Sequence, residues 1–426
     1  VGGEMQVKKF IRQIWMVLFV VAVGFSIASG KETIHFLGVG YSPSLVQALK
    51  QNILPEFERQ HNVEVILENT TWDERVDRFI TTVIGGMAPD VITTGYYAPY
   101  EEGAAGLLMP LDKYLGQWEY QDLIPEPIWE SQSWAGSIYA MPVDIDVRGI
   151  VYSKLFFEQA GFDGDQTPES WDELVEWTRR LTVLGSDQQS VEKRGLFVSA
   201  HAQHLFWYML QAGIQPVDVN ILESDFDKPE AIDAAQMLLD LHLARQGDLP
   251  GPQSGGIFCE ETAMSWYHPG WFNKSLAELD NPEEMVRHLG IFAPRRSQLD
   301  DPVAIGFING LAIPQGCKNP ELAWELIAYL TRKDVLEEIH KITGTVSPRV
   351  DIVPELMVWP GAEMFYSLIP YIRTTIVPPP RNRAQGQVEE LLKAMYSMRI
   401  PPNRVVQNAH DLWTRLLQEW KASMTE

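Results

Sequence analysis

Three short runs set the topology of this chain: IHFLGVG (Ile34–Gly40), VEVIL (Val63–Leu67) and PDVITT (Pro89–Thr94). Each is apolar and rich in β-branched residues, and each is bounded by Gly, Pro or Asn, as a strand requires. Between the first two, Ser44–Gln60 carries Leu45, Leu49, Ile53, Leu54 and Phe57 at helical spacing. Between the second and third, Asp73–Ile84 gathers Val76, Phe79, Ile80 and Val83 on one face, and Gly85-Gly86 stops the helix. Strand, helix, strand, helix, strand is the βαβ pattern of a parallel sheet. Open sheets of this kind bind ligands beyond the carboxyl ends of their strands. The turns at Gly38–Ser42, Asn69–Trp72 and Thr94–Tyr97 are therefore the first candidates for a site.

A second α/β region follows. Val147–Tyr152 reads as a strand and Leu155–Ala160 as a short helix. Ser170 and Glu173 form a capping box ahead of Trp171, Leu174, Val175, Thr178 and Leu181. Leu205–Gln211, Pro229–Arg245 and Leu322–Leu330 are helical by period. The tail from Gln387 to Lys421 is mainly helical and breaks at Pro401-Pro402, and Pro378–Pro380 is a rigid connector.

The chain has 426 residues, which suits two or three cores. With 57 acidic against 34 basic residues it carries a net charge of −23, so a nucleic-acid partner and an anionic membrane surface are both disfavoured. The 14 tryptophans supply flat apolar plates for stacking on ligands. Cys259 and Cys317 have neither a zinc nor a redox spacing, and free thiols or a disulfide both remain open. Lys8, Lys9 and Arg12 precede an apolar run from Ile14 to Ile27, and Ala28-Ser29-Gly30 follows. That layout predicts a secretory signal peptide over 1–30, with an uncleaved anchor as the alternative. No Cys stands at the cleavage site to take a lipid.

Catalytic motifs are missing: no G-x-S-x-G, H-E-x-x-H or P-loop occurs, and the dinucleotide fingerprint fails after Gly38-Val-Gly40. His201 and His204 lack the carboxylate or Cys company of a metal site. Asp144 and Asp146, two apart on a strand, share a face, a spacing compatible with a glycosidase but unspecific.

Several segments together resemble the extracellular solute-binding proteins of ABC importers, in the sugar-binding group that includes maltose-binding protein. They are GMAPDVI (Gly86–Ile92), YEEGAAGLLMPLD (Tyr100–Asp112), GSIYAMP (Gly136–Pro142) leading to GIVYSKLFF (Gly149–Phe157), and TPESWDEL (Thr167–Leu174). AMSWYHPGW (Ala263–Trp271), GFINGLAI (Gly306–Ile313), NPELAWELI (Asn319–Ile327) and GTVSPR (Gly344–Arg349) continue the order. Ser153 stands where the family usually has Asn.

The resemblance implies an α/β, two-lobed type II binding-protein fold with a mostly parallel sheet in each lobe. Lobe 1 would hold 31–142 and 307–344, and lobe 2 would hold 143–306 and 345–426. The chain would cross between them near Pro142–Asp146, Gly306–Gly310 and Thr343–Pro348. It implies a secreted or periplasmic monomer without catalysis, cofactor or metal, binding a sugar in the inter-lobe cleft and delivering it to a membrane permease. A non-sugar solute such as a polyamine or glycerol phosphate, a secreted glycosidase, and a cell-surface sensor or adhesion module are the alternatives.

A sugar presents apolar ring faces and hydroxyl edges, so aromatic plates beside carboxylates and amides are the residues to seek. Trp271 matches the family's stacking Trp, and Asp146 a hinge-region carboxylate, with Asp144 beside it and Arg148 as a salt-bridge partner for Asp144. Tyr41 and Trp72 end the first two strands. Thr94, Tyr96 and Tyr97 occupy the loop that supplies first-lobe contacts in the relatives. That loop has Tyr97-Ala98 in place of the family's Asp-Arg pair, which argues against a maltodextrin. His204, Trp207 and Tyr208 fall where relatives place an aromatic lid. Gly306 would allow close backbone approach and Asn309 a side-chain hydrogen bond. Trp134, Trp177 and Trp324 read as core.

Overall fold

The computed structural model describes residues 31–218, 222–250, 256–259, 261–357, 359–375 and 381–423. The expected signal peptide, the Pro378–Pro380 connector and the side chain of Cys259 lie outside the described residues. Cys317 is a free thiol whose Sγ donates to Asp90 Oδ1 at 3.3 Å.

The opening βαβαβ unit forms as the apolar pattern requires. Strands β1 (Glu32–Val39), β2 (Val63–Thr70) and β3 (Val91–Thr94) pair in parallel, with β1 in the middle. The helix between β1 and β2 is not uniform: Leu49–Ile53 is wound as a π segment between Pro43–Ala48 and Leu54–His61. Pro55 is the physical cause we assign, because a proline inside a helix removes a donor and its ring crowds the carbonyl four residues back. Helix Trp72–Ile84 starts where Thr71 accepts from the backbone N–H of Glu74.

Seven further strands complete a ten-stranded sheet: β4 (Met141–Ser153), β5 (Val183–Leu184), β6 (Val191–Leu196), β7 (Thr262–Tyr267), β8 (Leu289–Phe292), β9 (Ala304–Ala312) and β10 (Ile372–Arg373). The order is β2-β1-β3-β9-β4-β7-β6-β5, with β8 on β4 and β10 on β9. Expected as mostly parallel, the sheet is mixed. Strand β9 runs antiparallel to both β3 and β4, and β4 antiparallel to β7 and β8. The long strand β4 explains the difference. Its first half pairs with β9, and its second half, Gly149–Ser153, lies between β7 and β8, so one strand serves both halves of the sheet. A strand that passes from one half to the other needs a returning neighbour, and returning neighbours are antiparallel.

The three segments expected to cross lie side by side. Pro142–Arg148 pairs with Ile305–Gly310, and the backbone N–H of Ile145 donates to Val346 O at 2.8 Å. A bulge between Asn309 and Gly310 bends this ladder.

Helices Ala202–Gln211, Pro229–Ala244, Arg381–Tyr396 and Pro402–Ser423 pack together over the β6–β7 half, with Leu205, Phe206, Leu238 and Trp413 fully buried. Ser170 accepts from the N–H of Glu173, as a capping box requires, while the Glu173 carboxylate accepts from the N–H of Glu169 rather than Ser170. Trp134, Trp177 and Trp324 are half-buried; Trp177 stacks on Phe162 and Trp324 on Tyr114. Among the described residues no helix is long and apolar enough to cross a membrane.

Candidate functional site

A cavity of about 660 Å³ opens beside the crossing strands, within the size range of small-molecule sites. One wall comes from the turn after β1, with Gly40, Tyr41 and Ser42, together with Trp72 and Thr93. The floor is the β4–β9 ladder, presenting Asp144, Asp146 and Asn309. Helix Pro269–Ala277 contributes His268, Gly270, Asn273 and Lys274, and the end of helix Lys333–Thr343 contributes Thr343 and, just beyond it, Thr345.

Two glycines make room for the aromatic wall. A Cβ on Gly38 would meet the Tyr41 ring at 2.7 Å, and one on Gly40 would meet Trp72 Nε1 at 2.5 Å. Gly40 also has a φ of +70°, which side-chain-bearing residues rarely adopt. The Gly-Val-Gly run that fails as a nucleotide fingerprint is thus a seat for two rings. Tyr41 is fixed by its hydroxyl, 2.6 Å from Thr93 Oγ1, and its hydroxyl pKa is raised by burial, with Asp144 adding to the effect against the Thr93 bond.

The strand pairing sets the floor. Asp144 and Asn309 are cross-strand partners, and Asn309 Nδ2 donates to Asp144 Oδ1 at 2.8 Å. Two residues on, Asp146 accepts from Arg148 Nε at 3.2 Å and Nη2 at 2.6 Å. Arg148 therefore pairs with Asp146, not with Asp144 as the sequence suggested. Its guanidinium lies between the Trp266 and Phe307 rings, 4.9 and 4.7 Å from their centroids, and also donates to Gln203.

The two carboxyl groups are consequently driven apart. Burial pushes Asp144 up to about 7; the Asn309 bond opposes this and the charge of Asp146 reinforces it. Burial would also raise Asp146, but Arg148 and then His268 hold it below the usual carboxylate range. Burial lowers the His268 pKa, Asp146 opposes this, and Arg148 adds to it. His268 Nδ1 caps its helix by accepting from the Trp271 N–H at 3.2 Å.

Asp144 carries a stability consequence. Between its unfolded value near ~3.9 and its folded value of about 7, the folded chain binds the extra proton, so rising pH through that window removes stability. The cost is fully present above the folded value. Asp144→Asn is therefore expected to stabilise the protein at pH 8 and to change it little at pH 4, as chemical denaturation at both pH values will read. Equal effects at the two would refute the assignment.

Tyr41, Trp72, Asp144, Asp146 and Asn309 thus come together at the cavity. Trp271 does not line it. Gly270, Asn273, Lys274 and Ala277 form the helix face that does, and Trp271 is offset from that face, 45% exposed and packed on Tyr267. Thr94 is fully buried while its neighbour Thr93 lines the cavity, because successive strand residues face opposite ways. Tyr96 and Tyr97 turn inward; Tyr96 packs 5.0 Å from Phe307 and Tyr97 receives Arg75 at 5.6 Å. Trp207 and His204 are core as well. Trp207 Nε1 donates to Val303 O at 2.7 Å and its ring stacks on Trp266. His204 lies 3.2 Å from Ser199 O, and burial lowers its pKa to about 3. Their helix packs against Pro229–Ala244 and Arg381–Tyr396 and contributes no residue to the cavity. Gly306 pairs with Val147, and a Cβ there would strike Ile372 at 2.6 Å, so its close approach is to the protein itself.

Sequence reasoning missed His268, Asn273, Lys274, Thr343 and Thr345. His268 lies inside the AMSWYHPGW motif, and a Ser/Asp-like capping position ahead of Pro269 was the available signal. Among the described residues there is no group of three His, Cys, Asp or Glu side chains able to hold a metal ion.

The cavity lies on the β4–β9 ladder, between the β1–β3 unit and the helices Pro269–Ala277 and Lys333–Thr343, and the fold is that of the two-lobed binding proteins. The family model for bacterial extracellular solute-binding proteins matches residues 42–337, and the chain belongs to that family. A binding protein of Brucella abortus (strain 2308) is 22% identical over 293 residues, covering 67% of this chain and 68% of that protein. The mannitol-binding protein of Pseudomonas aeruginosa is 28% identical over 173 residues, 40% of this chain and 38% of that one. The sugar-binding protein MalE of Xanthomonas citri superposes with a TM-score of 0.79 at 17% identity, covering 92% of this chain and 99% of that one. An ABC transporter solute-binding protein of Thermotoga lettingae bound with α-D-tagatose gives 0.71 at 20% identity, covering 91% and 100%. Both likenesses are of fold.

Proposed function

We propose that this protein captures a carbohydrate in the cleft and delivers it to the membrane permease of an ABC importer. The observation that carries the reading is the pairing of an aromatic wall, Tyr41 and Trp72, with a hydrogen-bonding floor, Asp144, Asn309 and Asp146, in one cavity. The sugar-ring face would lie on the rings and its hydroxyl edge on the floor. The mannitol-binding relative and the tagatose-bound structure support the ligand class.

On this reading the lobes are 31–142 with 307–344 and 143–306 with 345–426, hinged at the crossing strands, and residues 1–30 direct secretion. Closure is driven by contacts that the ligand makes to both lobes at once. On this reading binding proceeds without turnover, and Arg148 keeps Asp146 ionised as a hydrogen-bond acceptor.

A panel of mono-, di- and oligosaccharides and polyols, read by tryptophan fluorescence and thermal shift, tests the proposal. A binder shifts the emission and raises the melting temperature in proportion to its occupancy. Release of product from any glycoside, or no response across the panel, would remove the reading. For the bound sugar, Trp72→Ala is expected to raise Kd about tenfold, as loss of one aromatic stacking plate does. An unchanged Kd in calorimetry would exclude Trp72 from the site.

A further inference from the structure

The charges around the cleft are unevenly compensated. Asp146 is neutralised by the Arg148 fork. Asp144 sits on the same strand face with only the neutral Asn309 amide as partner, and no described cation lies within ion-pair distance of it. Lys274 lines the same cavity from its helix, yet it forms no ion pair with either carboxylate and does not figure among the groups that act on Asp144. His268 faces Asp146, 3.8 Å away, and burial favours its neutral form.

A carboxylate drawn out of water without a counter-charge is costly, and the cost is recovered when a cation arrives. A counter-ion supplied by the ligand would do this. The adjoining wall suits the same group, because the face of an aromatic ring attracts a cation. Trp72 is 39% exposed on that wall and Tyr41 is close enough to Asp144 to sense its charge. The net charge of −23 attracts cationic solutes at long range.

We propose that the sugar taken by this cleft is an amino sugar, its protonated amine seated on Asp144 beside the Tyr41–Trp72 wall. The inference rests on the carbohydrate reading above and narrows it from neutral sugars to cationic ones. Asp144 sets the specificity, and Asp146, already paired, accepts hydroxyl groups.

The test is calorimetric titration of the full chain at pH 7 with mono- to trisaccharides of D-glucosamine, of N-acetyl-D-glucosamine and of D-glucose. The glucosamine series is expected to bind at least about tenfold more tightly than the other two at equal length. Acetylation removes the charge but adds an acetyl group, whereas D-glucose removes the charge without added bulk, so the two neutral series together isolate the charge. Asp144→Asn should abolish the preference, bringing the glucosamine series level with the two neutral series measured on the same variant. Neutral sugars that bind as well as the aminated ones overturn the inference and leave the carbohydrate reading standing. A preference that survives in Asp144→Asn overturns the role of Asp144. Binding of spermidine with no response to any sugar overturns both readings.

Discussion

Glu102→Gln is expected to lower folding stability by about 3–5 kcal/mol, the cost of stripping a buried charge of its partner. Arg75 is fully buried and Glu102 nearly so. The guanidinium forks onto the carboxylate, with Nη2 donating to Oε2 at 2.8 Å and Nη1 to Oε1. Nε donates to Thr93 O at 3.1 Å, and the Phe79 and Tyr97 rings flank the group. The glutamine keeps the shape and loses the charge, so Arg75 is left ionised where burial cuts it off from bulk solvent. Thr93 also holds the Tyr41 hydroxyl, so loosening this pair should weaken ligand binding as well. Urea denaturation reads the first effect and calorimetry the second. A loss below about 1 kcal/mol, the range of exposed pairs, would show that the pair is solvated after all. The double replacement Arg75→Met with Glu102→Leu should cost less than either single change, because it leaves no orphan charge.

Arg148→Met is expected to cost about 2–3 kcal/mol at neutral pH, somewhat less than for a fully buried pair because both partners retain some exposure. The loss should be pH-dependent. Asp146 has a depressed folded pKa, so it contributes stability above its unfolded value and loses it as pH falls through the folded value. Without Arg148, burial pushes Asp146 upward and the contribution reverses sign. The gap between wild type and variant should therefore be wide at pH 7 and narrow towards pH 4. An equal gap at both would mean that Arg148 acts by packing between Trp266 and Phe307 rather than by its charge.

Local structure is legible in the chain where neighbours in sequence decide it. Helix Asp73–Ile84, the capping of Trp171 by Ser170, and the break at Pro401-Pro402 all appear where expected, within a residue or two. Pairing partners were another matter. That Asp144 and Asp146 share a face follows from the strand period. That Asn309 takes Asp144 and Arg148 takes Asp146 depends on the register of a strand some 160 residues away.

The same division explains the site residues that moved. Tyr96 and Tyr97 follow a strand end, the right address for a ligand loop, but Phe307 on the crossing strand offers them an apolar surface and they fold onto it. Trp207 and His204 have the composition of a lid, yet the helices of the tail bury their segment. Sequence order alone determined the class, the first three strands and the position of the Gly38–Trp72 wall, because these follow from nearest-neighbour periodicity and from motif order. Tertiary structure alone chose which carboxylate is neutralised and which is left without a counter-charge. That choice is made by a cross-strand register and by the rings that clamp Arg148, contacts between residues far apart in the chain.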